Sequence, residues 1–85
     1  MEYRVEISPR ATKQIRALSL QVQIRIFAAL DKLQLDPRPP GCTQLAGPDV
    51  FYRIRVGDYR IIYAIEDDTL LVLVTKVGHR GDVYR

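Results

Sequence analysis

An α+β domain with a small antiparallel sheet is what this 85-residue chain predicts. Two observations carry that reading. Apolar residues recur at helical spacing through the first half, and three runs of strand-like alternation follow "DPRPPGC", a proline-rich stretch that suits only a connector. The expected order is an N-terminal strand, a helical hairpin and a three-stranded meander, with the helices packed on one face of the sheet.

"YRVEI" (Tyr3–Ile7) alternates Tyr3, Val5 and Ile7 with Arg4 and Glu6, the period of an amphipathic strand. Ser8-Pro9 then offers an N-cap and a first-turn proline. Ala11, Ile15 and Leu18 follow at helical spacing, so a short helix is expected to about Leu18, with Ser19 placed to restart it. The next segment alternates like a strand at Leu20, Val22, Ile24 and Ile26. Its later part decides for helix: Val22, Ile26, Ala29, Leu30 and Leu33 share one face, and Asp36-Pro37 ends it.

Strands are expected at Phe51–Val56, Tyr59–Glu66 and Leu70–Val77. The third, "LLVLVTKV", is nearly all apolar and is expected to be the central, most buried one. Gly57-Asp58 suits a tight type II′ turn. That turn sets Val56 opposite Tyr59 and Arg55 opposite Arg60, with Arg53 on the same face as both. Tyr52, Ile54, Val56, Tyr59, Ile61, Tyr63 and Ile65 then face the helices, and the arginines face away.

Composition fits one domain spanning 1–85, with 47% hydrophobic residues and one modest core. Thirteen Lys+Arg against ten Asp+Glu give a formal charge of +3, too mild to name a partner by itself. Its distribution is more telling, because Arg53, Arg55 and Arg60 are gathered on one hairpin, which favours an anionic partner. A lone Cys42 forms no intramolecular disulfide and suits a reducing cytoplasm, and no His/Cys grouping offers a zinc site. No stretch approaches the roughly 20 apolar residues of a membrane span, and the charged start does not read as a signal peptide. A cytoplasmic protein without cofactor or membrane contact is expected.

Opposed like charges cost tenths of a kcal/mol up to about 1, so the Arg55–Arg60 pair is not what a surface tuned only for stability would choose. Three guanidinium forks on one face match phosphate oxygens. The tail "KVGHRGDVYR" adds Lys76, His79, Arg80, Tyr84 and Arg85. A lone histidine is most often a surface or packing residue, yet it is also the side chain that takes or gives a proton near neutrality. Tyr84 can stack on a base. RNA carries its own nucleophile, the 2′-OH, so a metal-independent ribonuclease needs a proton acceptor, cations for the charge that develops on phosphorus, and a donor for the leaving 5′-oxygen. Arginines, a histidine and a tyrosine fill those roles. The carboxylate cluster of a two-metal nuclease is missing from the pattern.

"LAGPDVFYRIRVGDYRIIY" (Leu45–Tyr63) and "VGHRGDVYR" (Val77–Arg85) resemble the RelE/ParE toxin superfamily, and within it the RelE-like branch. The likeness lies in the leucine-x-glycine element, the tyrosine-rich basic strand, the glycine-x-tyrosine-arginine-x-x-tyrosine pattern and the closing segment. It spans nearly the whole chain. The resemblance implies the toxin of a type II toxin–antitoxin pair, an endoribonuclease that enters the ribosomal A site and cuts the mRNA being translated. By position it implies an active surface of Arg53, Arg55, Arg60, Arg80 and Tyr84, with Arg60 on the phosphate and Tyr84 stacked on the base; Lys76 and Arg85 would add RNA contacts. Well-known members carry lysines at the positions of Arg53 and Arg55, one of them the proposed general base. Arginine stays protonated and is a poor base, so part of the proton transfer is expected to fall to His79.

The partners implied are a cognate RelB-like antitoxin, whose amphipathic segment would lie over the sheet or on the apolar side of the helical hairpin, and the ribosome with its mRNA. A ParE-like gyrase inhibitor without nuclease activity is the alternative within the superfamily. A plain RNA-binding module is a third reading.

Overall fold

The structure, a computed structural model, describes residues 2–81. β1 (Arg4–Ile7) is followed by α1 (Pro9–Arg16) and α2 (Leu20–Leu35), then by β2 (Thr43–Gln44), β3 (Tyr52–Val56), β4 (Tyr59–Glu66) and β5 (Leu71–His79). Both helices start where expected. Ser8 Oγ accepts from Ala11 N, Ser19 Oγ accepts from Val22 N, and Pro9 sits in the first turn of α1.

The five strands lie in the order β1-β5-β4-β3-β2. The neighbouring pairs β2–β3, β3–β4 and β4–β5 are antiparallel, but β1 joins β5 in parallel, pairing Arg4 with Leu71 through Ile7 with Val74. The sheet is therefore mixed, a correction to the all-antiparallel expectation. Two helices carry the chain away from β1, and the later strands step back across the sheet until β5 lies beside β1 running the same way. Alternation in sequence fixes which residues share a face, not the direction of a neighbour. The two-residue β2 was also not expected, being too short to show a period.

A second correction concerns the central strand. β4, not β5, is third of five and holds the consecutive buried run Arg60, Ile61, Ile62 and Tyr63. β5 is apolar on both faces, yet its outward Leu71 and Leu73 are only half-buried because the helices cover one face alone.

The core lies between that face and the helices. Ala11, Ile15, Ile26, Leu30 and Leu33 meet Ile54, Ile61, Tyr63, Val72, Val74 and Val77. Tyr63 is fully buried; its ring stacks on Tyr52 at 5.9 Å and its hydroxyl donates to Pro37 O at 2.8 Å. Burial pushes this phenol well above its usual range, so it stays a neutral donor. α2 is apolar on a second side as well: Leu20, Ile24 and Phe27, spaced i, i+4, i+7, are 71%, 61% and 45% exposed.

β5 contains a bulge. Ile62 pairs with Lys76 and Tyr63 with Val74, so Thr75 is the extra residue. α1 pins this spot. Ser8 N donates to Val74 O (2.9 Å), Ser8 Oγ to Thr75 O (3.3 Å), and Gln14 Oε1 accepts from Val77 N (2.8 Å), a donor beyond the reach of β1. Past the bulge Val77 faces the core and Lys76 faces outward.

A polar network closes the far end. Arg38 grips Asp67 with two hydrogen bonds (3.1 and 3.0 Å) and donates to Tyr52 Oη (3.2 Å), while Tyr3 Oη donates to Asp67 (2.7 Å). Arg38 first, then Tyr3, holds the Asp67 carboxyl below its usual range.

Candidate functional site: a cationic sheet face

The turn predicted for Gly57-Asp58 forms, with Val56 opposite Tyr59 and Arg55 opposite Arg60. Gly57 has φ +59, and Asp58 is not in the left-handed region, as a type II′ turn requires. The register extends in rows across three strands. Arg55, Arg60 and Gly78 make one row on the outer face; Arg53, Ile62 and Lys76 make the next. Thr43 continues the second row on β2 and accepts from Arg53 Nη2 at 3.4 Å. Four cations thus project from a face that no helix covers, around the buried Ile62.

Arg60 is the most enclosed of them, at 8% exposure. Its Nη1 donates to Gly57 O (3.3 Å) and Tyr59 O (3.0 Å), so the turn's own carbonyls fix the guanidinium. A guanidinium has five donors. Nε and Nη2, the edge that matches a phosphate bidentately, have no partner among the described residues. Arg55, opposite, is exposed and has no hydrogen-bond or ion-pair partner among them either. Among the described residues no neighbouring carboxylate neutralises these two: Glu6 pairs with Arg4 (3.6 Å) and Asp67 with Arg38.

His79 is not brought to this face. It pairs with Tyr59, in the row next to Arg60–Gly78, and its ring meets the Tyr59 ring edge-on at 5.6 Å on the helix side of the sheet. Arg80 is tied to the hairpin by its backbone, its N–H donating to Asp58 O (2.9 Å), and is exposed beside the turn. Tyr84 and Arg85 lie outside the described residues.

One basic residue near the site escaped the sequence. Arg25 of α2 reaches over the hairpin turn, so close that a Cβ on Gly57 would stand 2.6 Å from Arg25 Nη2. Gly57 is required for its backbone conformation, and a side chain there would also push the flexible end of Arg25 aside. Nothing in the periodicity of α2 points to Arg25, since the contact spans 32 residues of chain.

A rigid row of cations, one of them preorganised with its fork unengaged, can bind a phosphate and stabilise charge that grows on it. The profile of the family described as "ParE toxin of type II toxin-antitoxin system, parDE" matches residues 5–84. Toxin RelG of Mycobacterium tuberculosis is 29% identical over the whole chain and 99% of its own length. The mRNA interferase toxin RelE of Escherichia coli is 29% identical over 99% of this chain and 92% of its own. The archaeal RelE in the RelE–RelB complex from Pyrococcus horikoshii superposes with a TM-score of 0.84 at 30% identity, covering 96% of this chain and 99% of that one. With its sheet, its basic hairpin and nearly its full length matched, this chain belongs to the ParE toxin family of type II toxin–antitoxin systems and is a RelE-like toxin.

Proposed function

We propose that this toxin is a ribosome-dependent endoribonuclease that cuts translated mRNA in the A site, without a metal, through attack of the 2′-OH on the adjacent phosphorus. The observation that carries the reading is Arg60, fixed by two turn carbonyls with its Nε–Nη2 edge unengaged among the described residues. As the 2′-oxygen bonds to phosphorus, negative charge collects on the non-bridging oxygens. The Arg60 fork receives it. The bond to the 5′-oxygen then breaks, leaving a 2′,3′-cyclic phosphate and a 5′-hydroxyl whose oxygen takes a proton from water. Arg53, Arg55 and Lys76 hold the neighbouring backbone, Arg80 adds charge at the turn, and Tyr84 and Arg85 act on the base and strand from the tail. Arginine stays protonated, so the 2′-OH proton goes to a group other than these arginines. The placement of His79 across the sheet does not favour it for that role.

Charge-assisted hydrogen bonds are worth about 1.5–3 kcal/mol each, so a two-bond fork supplies roughly 3–6 kcal/mol, or about 10²–10⁴ in rate. The test is primer extension on a defined mRNA with and without translating ribosomes. Cuts that require ribosomes and weaken by at least 10² in Arg60→Ala support the reading. Intact message in every lane turns it to a ParE-like gyrase inhibitor, a choice the gyrase supercoiling assay then decides.

The silencing partner we propose is a cognate RelB-like antitoxin. Relatives of this chain are known in RelE–RelB complexes, and the outward stripe Leu20, Ile24, Phe27 of α2 is an unpartnered apolar surface of the kind an amphipathic segment covers.

A further inference from the structure

The outer face of the sheet changes character along its strands. Beyond the two cationic rows, the register carried one step past Tyr52–Tyr63 sets Phe51 beside Ala64, and Ala64 pairs with Leu73. Leu45 N donates to Phe51 O at 2.8 Å, so the backbone pairing of β3 extends to Phe51, and alternation turns its ring away from the face of Tyr52. Phe51, Ala64 and Leu73 are half-buried, and none of them belongs to the helix-side core. Past this strip come carboxylates: Glu6 pairs with Leu73 and Glu66 with Leu71. The face thus runs from cations through an uncharged strip to anions. Tyr52, Tyr59 and Tyr63 all turn to the helices, so Phe51 is the aromatic ring that this face offers among the described residues.

We infer that the strip of Phe51, Ala64 and Leu73 seats one nucleobase of the RNA whose phosphates lie on Arg53, Arg55, Arg60 and Lys76. The inference rests on the RNA reading above and adds to it a base contact separate from the one assigned to Tyr84. A phosphate is drawn to the cationic rows and repelled by Glu6 and Glu66, so the RNA backbone stays on the hairpin side of the strip. A base is uncharged and presents a flat apolar face, and an aromatic ring beside a basic track is the platform on which bases of any sequence stack. The reach agrees. Arg55, Arg53 and Phe51 follow one another on β3 at intervals of two residues, roughly 6–7 Å each, which is comparable with one nucleotide step of an extended strand. A nucleotide whose phosphate meets Arg53 therefore has Phe51 within one step of it. The strip also marks where the phosphate track ends, because the next row along the sheet is acidic.

The chain has no tryptophan, so Phe51→Trp places a single indole fluorophore in the strip. The probe is a 2′-O-methyl RNA of about eight nucleotides, which has no 2′-OH to attack and stays whole, titrated against the toxin over a range of salt concentrations. Phe51→Trp is expected to bind it as tightly as wild type, with its emission quenched as the base stacks. Phe51→Leu keeps the apolar bulk and is expected to bind at least about fivefold more weakly, with the slope of log K against log salt unchanged, since a stacked base releases no counterions. One abasic position in the probe should reproduce that loss in wild type and add nothing to it in Phe51→Leu. Equal affinity of wild type and Phe51→Leu, or unquenched emission in Phe51→Trp, overturns the inference. So does a Phe51→Leu protein that melts lower yet binds the probe as wild type does, which would leave the ring only a packing role against the loop. A loss confined to antitoxin affinity overturns it too and gives the strip to protein. A wild type without salt-dependent affinity for the probe removes the RNA reading and this inference together. A wild type that binds the probe through Phe51 while translated mRNA stays intact ends the nuclease reading and upholds this one.

Discussion

Arg55→Gln is expected to make the protein more stable and worse at holding RNA. The two effects have one source. Arg55 faces Arg60 directly across the hairpin, and neither has a carboxylate partner among the described residues. A directly opposed like-charge pair costs about 0.2–1 kcal/mol, and glutamine keeps part of the stem while removing the charge. For a domain of this length 1 kcal/mol moves Tm by roughly 4–8 °C, so relief of about 0.5 kcal/mol raises it by about 2–4 °C. Arg55 is exposed, so the gain shrinks in high salt. On the binding side, each phosphate neutralised on a single strand contributes about −0.7 to the slope of log K against log salt. Four cations, Arg53, Arg55, Arg60 and Lys76, therefore give a slope near about −2.8 when each meets one phosphate, and the variant about −2.1. Between 50 and 200 mM salt that lost contact corresponds to a factor of about 2.6 in affinity. Differential scanning calorimetry and filter binding of a short RNA at four salt concentrations measure both. A Tm that falls, or a slope that does not change, refutes the account of the outer face as a phosphate surface kept at the expense of stability.

Tyr63→Phe leaves the buried Pro37 carbonyl without its donor, at about 1–3 kcal/mol, and thermal melts are expected to show a Tm lower by roughly 5–20 °C. Acid weakens the Asp67 network. Its carboxyl is held below the usual range in the folded state, so its contribution is present above the ordinary carboxylate pKa and is lost as pH falls through the lowered one; the destabilisation by Arg38→Met should shrink as the pH is lowered below the ordinary carboxylate range. His79→Ala should keep ribosome-dependent cleavage within about threefold of wild type and leave its pH profile unchanged, since the ring packs on Tyr59 across the sheet from Arg60; a loss of about 10² or more would return His79 to the chemistry.

Much of this was legible in the chain because it depends on near neighbours. Ser8-Pro9 and Ser19 marked helix starts by capping chemistry that operates over three residues, and Gly57-Asp58 fixed the hairpin register, so Arg55 and Arg60 were placed opposite one another before any coordinates. What was not legible depends on tertiary contacts. The parallel β1–β5 pairing joins segments 67 residues apart, and strand direction leaves no periodic trace. Arg25 shows itself only through the turn it covers. The face of His79 was not legible from its neighbours in sequence: three residues along a regular strand separate it from Lys76, which sets the two on opposite faces.

That extra residue, Thr75, decides which chemistry the last strand displays. In an unbroken strand the face carrying Val72 and Val74 would continue through Lys76 and Gly78, sending a lysine into the core and Val77 and His79 out among the arginines. Flattening the bulge with its residue kept would thus exchange an ammonium for an imidazole on the exposed surface and bury the charge, whereas deleting Thr75 itself would leave Lys76 outward and Val77 inward. The reading frame of side chains, rather than the identity of any one of them, is what this stretch has to keep, and a single-residue deletion here should be tolerated only where it removes the bulge.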